Sequence, residues 1–158
     1  MVNKMSVLRC MLPGLAAAIA VVLADASASA QSRYIVTNPV TGFAADSFDP
    51  VAYFADGKAR EGSPELEATW EGVAWRFANA GNRAAFLDHP EVYAPAFGGH
   101  CAVAVARGYM AAGKPTIWEI HEGRLYFFHS QANRRVFLMD PDSIAVRAGT
   151  VWAEHTGR

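Results

Sequence analysis

Residues 71–90 and 122–141 of this 158-residue chain spell one pattern twice, 51 positions apart, with eight of twenty positions identical. Glu71 matches Glu122, Gly72 matches Gly123, Phe77 matches Phe128, and Asn82-Arg83 match Asn133-Arg134. Phe86-Leu87 match Phe137-Leu138, and Pro90 matches Pro141. Repeated segments adopt one supersecondary structure, so the pattern limits the chain to folds in which a single motif occurs twice.

Each copy reads as a hairpin followed by a helix. In the first, Val73, Trp75 and Phe77 alternate with Ala74 and Arg76 after a Glu71-Gly72 turn, the period-two signature of a strand with one buried face. In the second, Ile117 to His121 leads into Glu122-Gly123 and Leu125 to Phe128 returns. Glycine at the second turn position supplies the positive φ that tight hairpins need. Asn79 and Ser130 then cap helices whose apolar stripes are Phe86-Leu87 and Phe137-Leu138, and Pro90 and Pro141 enforce the stops. An isolated hairpin is marginal in water. The expectation is therefore an α+β fold of two hairpin-helix units sharing one core, plus short helices.

One short helix is expected after Asp49-Pro50, with Asp49 as its N-cap, Pro50 at the first helical position, and Tyr53 or Phe54 buried. Between the units lies Gly98-Gly99-His100-Cys101, followed by Ala102 to Ala106. The alanines favour a closely packed helix there, while Val103 and Val105 leave a strand open.

The amino terminus has the pattern of an export signal. Lys4 and Arg9 precede an apolar run of 14 residues, Met11 to Ala24, and Ala28-Ser29-Ala30 offers the small residues of a cleavage site. The run is shorter than the roughly 20 residues of a stable membrane-spanning helix, so cleavage is the favoured reading and a retained anchor the alternative. The expected organisation is a signal peptide at 1–30, an amino-terminal arm at 31–44, the domain at 45–148 and a polar tail at 149–158. Export implies a periplasmic or secreted protein with no transmembrane span after cleavage. Cleavage leaves 12 Lys+Arg against 14 Asp+Glu, a net charge of −2, so nucleic acid is not an expected partner. It also leaves a single cysteine, Cys101, and hence no internal disulfide.

Several motifs together resemble the YHS-domain proteins, specifically their exported single-domain bacterial branch. They are Phe48-Asp49-Pro50-Val51-Ala52-Tyr53-Phe54, Trp70 with Trp75-Arg76-Phe77, and Asn82-Arg83 with Phe86 and Pro90 to Pro95. Gly98-Gly99-His100-Cys101-Ala102 and Trp118 with Leu125-Tyr126-Phe127 complete the set, which covers about residues 45–140. The resemblance implies a small α+β fold and a role in handling transition metals. The metal-type module resembles Asp-Pro-Val-Cys with a further cysteine after an aromatic strand; here Ala52 and Ala78-Asn79 occupy those places. Cys101 matches the exported branch, whereas His100 stands in the place of a tyrosine and His129 where an aromatic residue is usual.

Thiolate, imidazole and thioether donors make Cys101, His100, His129 and Met110 the candidate metal ligands, a set suited to copper or zinc. His100 and Cys101 are neighbours whose side chains diverge on either a strand or a helix, unless the Gly98-Gly99 turn bends them together. Cys101 has two other readings, a small buried hydrophobe or a redox-active or intermolecular thiol. If the cysteine only packs, the chain reads as an interaction module in which aromatic surface near Tyr93 to Phe97 engages an envelope protein or an apolar small molecule. His89 suits a helix end, His121 lies beside a hairpin turn as an exposed residue, and His155 belongs to the polar tail. Arg83 and Arg134 read as structural, with a paired anion site as the alternative. No nucleophile elbow, phosphate-binding glycine loop or paired-histidine zinc helix occurs, so the pattern does not support an enzyme.

Overall fold

A computed structural model describes residues 34–157, and the expected signal peptide lies outside them. The fold is α+β. In chain order, helix α1 (Ala52–Ala55) precedes strands β1 (Ser63–Trp70) and β2 (Val73–Phe77) and helices α2 (Ala80–Asp88) and α3 (Pro90–Tyr93). After helix α4 (Ala102–Ala106) come strands β3 (Lys114–His121) and β4 (Arg124–Phe128), then helices α5 (Gln131–Met139) and α6 (Pro141–Thr156). Among the described residues, no helix is long and apolar enough to cross a membrane.

The two hairpins have the same geometry. β1 pairs antiparallel with β2, β3 pairs antiparallel with β4, and the register slips between Ser63 and Glu67 in one and between Lys114 and Trp118 in the other. Each turn places both central residues at positive φ, 49° and 74° at Glu71-Gly72 and 47° and 71° at Glu122-Gly123. That is the requirement of the two-residue type I′ turn, whose twist matches the strands.

At the end of each slip, the repeated arginine bonds a strand carbonyl. Arg83 Nε donates to the Glu67 carbonyl at 2.7 Å, and Arg134 Nε donates to the Trp118 carbonyl at 2.9 Å. Arg134 also meets the Glu119 carboxylate. The arginines thus fasten each helix to its own hairpin. The caps fall as the pattern requires, since Asn79 Oδ1 accepts from the Asn82 amide and Ser130 Oγ from the Asn133 amide. Both prolines stop one helix by opening the next, because proline fits the first turn.

Five expectations change. The core is two clusters rather than one. Tyr53, Trp75, Phe77 and Phe86 form the first with Leu125 and Phe127, while Cys101, Tyr126, Phe128, Phe137 and Ile144 belong to the second. Alternate residues of β4 therefore face opposite clusters, and this strand is the partition between them. In both helical stripes only the phenylalanine is buried; Leu87 and Leu138 stay about half exposed. α1 starts at Ala52 with Val51 as its N-cap, so Pro50 lies before the helix. The stretch expected as a polar tail is the second half of α6, which buries Ile144 and Ala148 and packs on α4.

The described part of the arm, residues 34–44, is also packed on the domain. Ile35 is buried in the first cluster, and Asn38 Oδ1 accepts from the Val40 and Thr41 amides to turn the chain back. Phe43 bridges to Ala74 of β2.

Candidate functional site

Cys101 is fully buried in the second cluster, just before α4. Its backbone amide donates to the Ala111 carbonyl at 2.8 Å, and its sulfur accepts from Asn133 Nδ2 at 3.3 Å. The matching asparagine of the first unit does the same for a different acceptor. Asn82 Nδ2 donates at 2.6 Å to Asp49 Oδ2, which also accepts from the Ala78 amide, while Asp49 Oδ1 accepts from the Val51 amide. Asp49 and Cys101 thus hold corresponding places at the head of α1 and of α4. Three donors satisfy the buried carboxylate, and one suffices for the weaker sulfur acceptor.

The other candidate ligands have their own partners. His100 Nδ1 donates to the Phe97 carbonyl at 2.9 Å, and its ring lies 5.5 Å from that of Trp152 on α6. Burial lowers the His100 pKa; the Phe97 carbonyl opposes this, and the charge of His155 adds to it. His129 is exposed and donates from Nδ1 to the Ala112 carbonyl at 3.2 Å. Met110 is partly exposed in the loop after α4. No group of three or more His, Cys, Asp and Glu donors within 4.8 Å of one another includes Cys101, His100 or His129 among the described residues. The aromatic residues near 93–97 are packed as well: Tyr93 lies against Phe54, and Phe97 between Tyr126 and Trp152.

What the fold does open is a cavity of about 230 Å³ under the amino-terminal arm. Its apolar lining includes Trp75, Phe127, Ile35, Val36, Pro95 and Pro115. Its polar lining includes Asn38, Asp46, Lys114 and His129. Asp46 already accepts from Asn38 Nδ2 at 2.7 Å. Two glycines make the enclosure possible. A Cβ on Gly98 would lie 2.0 Å from the Tyr34 carbonyl oxygen, at a φ of +59°, and a Cβ on Gly113 would lie 2.5 Å from the Phe127 Cβ. The arm is held down by the Val36 amide, which donates to the Gly98 carbonyl at 2.8 Å.

Sequence reasoning missed Asp49 as a hub, having assigned it only a helix cap. The signal was present in the asparagine repeated at 82 and 133, which has no reason to recur on an exposed helix face. Tyr53, expected only as a buried ring, also ties the two halves together by donating its hydroxyl to the Pro115 carbonyl at 3.0 Å. Burial, followed by the negative charge of Asp49, drives the Tyr53 pKa well above the tyrosine range, so the phenol stays a donor. Comparison with protein-family models, curated proteins and solved structures finds no match for this chain.

Proposed function

We propose that this chain is an exported, YHS-like binding domain that holds a small, partly apolar acid in the cavity beneath its arm, with Cys101 serving the fold. The observation that carries the reading is the cavity itself, lined by aromatic and other apolar side chains together with a few polar groups, the usual build of a small-molecule site. Its size is below the roughly 300–1,000 Å³ of pockets for drug-sized ligands, so the occupant is small. Lys114, among the lining residues, supplies a cationic group for an anionic end, while Asp46 is held by its contact with Asn38. The signal-like amino terminus supports export, and the motifs around Asp49 and Cys101 support the YHS likeness.

Copper or zinc on Cys101 has less support. The sulfur is sealed among apolar neighbours and takes the Asn133 amide, while His100 and His129 each bond a carbonyl. The function is tested by ligand-observed NMR on the full chain with a set of small aliphatic and aromatic carboxylates. Binding is expected for at least one acid, with loss in Ala112→Phe, which adds bulk at a lining residue, and weakening in Lys114→Gln. Binding that survives both substitutions unchanged, or none by any acid, overturns the reading.

A further inference from the structure

Away from the cavity, His121, Glu122 and Asp142 bring an imidazole and two carboxylates together where the β3–β4 hairpin tip meets the first turn of α6. One ligand atom from each lies within 4.8 Å of the other two, and they form a group of three such donors among the described residues. His121 Nε2 is 2.6 Å from Asp142 Oδ1. We propose that these three side chains form a divalent-cation site of the zinc class that fastens the tip of the second hairpin to α6.

Three features favour a cation there. The donor types are those zinc accepts, at ligand distances of about 2.0–2.2 Å, with water left to complete the shell. A separation under 4.8 Å is close enough for small side-chain rotations to bring all three onto one ion. His121 is only partly exposed and its ring packs edge-on against Phe137, at 6.0 Å and 84°, so the imidazole is oriented before any ion arrives. Such support of a ligating ring is what tunes metal sites.

The local charge also points to a cation. Glu122 and Asp142 bring two carboxylates to the imidazole, while the neighbouring Asp140 carboxylate caps α6 at the Ser143 amide. The α6 N-terminus opposes a cation through its dipole, worth about 0.3–1 kcal/mol at an exposed site. That is small beside the ligation of an ion by three donors. Copper(I) is disfavoured by the lack of sulfur, and calcium by the imidazole and the small number of oxygens. The site is independent of the cavity, and either can fail without the other.

The test is calorimetric titration of the full chain, in a Cys10→Ser background, with zinc chloride and separately with calcium chloride, alongside the thermal midpoint. One equivalent of zinc should bind and raise the midpoint, and calcium should do neither. Glu122→Gln keeps the His121 contact to Asp142 and so keeps the fold; it should weaken zinc by about tenfold or more, as should Asp142→Asn. Cys101→Ser should leave zinc binding unchanged. No zinc binding up to near-millimolar metal, wild-type affinity retained in the Glu122 and Asp142 variants, or loss of binding in Cys101→Ser would each overturn the site.

Discussion

The side-chain amide of Asn133 lies 3.3 Å from the Cys101 sulfur and donates to it, just as Asn82 donates at 2.6 Å to Asp49. Two asparagines at matching places on α2 and α5 thus reach back to a residue just ahead of the short helix of their own half. The acceptor differs and the architecture does not. Where the first half uses a carboxylate with three donors, the second uses a buried thiol with one.

That difference sets the energetics. Asn82→Ala removes a hydrogen bond to a buried charge, worth about 1.5–3 kcal/mol, whereas Asn133→Ala removes a bond to sulfur and falls near or below about 1 kcal/mol. Urea unfolding of the two variants should show the larger loss at Asn82. Equal losses, or the reverse order, would mean that Asp49 is not held as described.

The helical stripes make a second contrast. Phe86 and Phe137 are fully buried while their neighbours Leu87 and Leu138 are about half exposed. Phe137→Ala should cost about 3–5 kcal/mol, in the range for emptying an aromatic site. Leu138→Ala should stay within about 1 kcal/mol, and the gap is read from denaturation midpoints at constant slope.

Docking of the arm rests on one glycine. Gly98→Ala places a methyl group on the Tyr34 carbonyl oxygen and should release the arm, seen as faster hydrogen exchange at residues 34–37 with the β4 amides still protected. Gly57→Ala has a similar positive φ, +62°, with nothing within 4 Å of the added Cβ. It should cost backbone strain without freeing the arm. Equal exchange at the arm in both variants would contradict the docking.

His100 gives the stability a pH dependence with a defined sign. Its pKa is lowered in the folded state from an ordinary 6.5, first by burial. Above 6.5 the ring is neutral in both states, so its contribution is constant. As the pH falls below 6.5, the unfolded chain takes up a proton that the folded chain resists. Stability drops until the lowered folded value is passed, and then levels. His100→Phe keeps an aromatic ring against Trp152 and should flatten this part of the curve, measured as the difference between variant and wild-type unfolding free energies from pH 4 to 8. A difference independent of pH would exclude His100 as a source.

The hairpins, their turns, the caps at Asn79 and Ser130 and the prolines were legible because each is written in local sequence, through alternation, turn chemistry and capping. What was not legible depends on distance along the chain. The partition by β4 required knowing that both faces of Leu125-Tyr126-Phe127-Phe128 are covered, and an unbroken apolar run does not say by what. Residues 149–156 look polar because one face of α6 is solvated, while Ile144, Ala148 and Trp152 hold the other against the domain. The cavity was hidden for the same reason, since its walls come from the arm, the Gly98-Gly99 turn and both hairpins. Cys101 and His100 pointed to chemistry by residue type alone, and their side chains turn to different neighbours, Asn133 for one and Trp152 for the other.

Whether Cys101 belongs to the fold or to a reactive site is decided most directly by peptide-resolved alkylation of the native chain, with and without denaturant. A packed thiol should remain unmodified in native protein, become fully modified on unfolding, and show the same protection after metal chelation. Rapid native alkylation of Cys101, or protection that disappears when metal is stripped, would contradict the structural role and return the cysteine to metal chemistry.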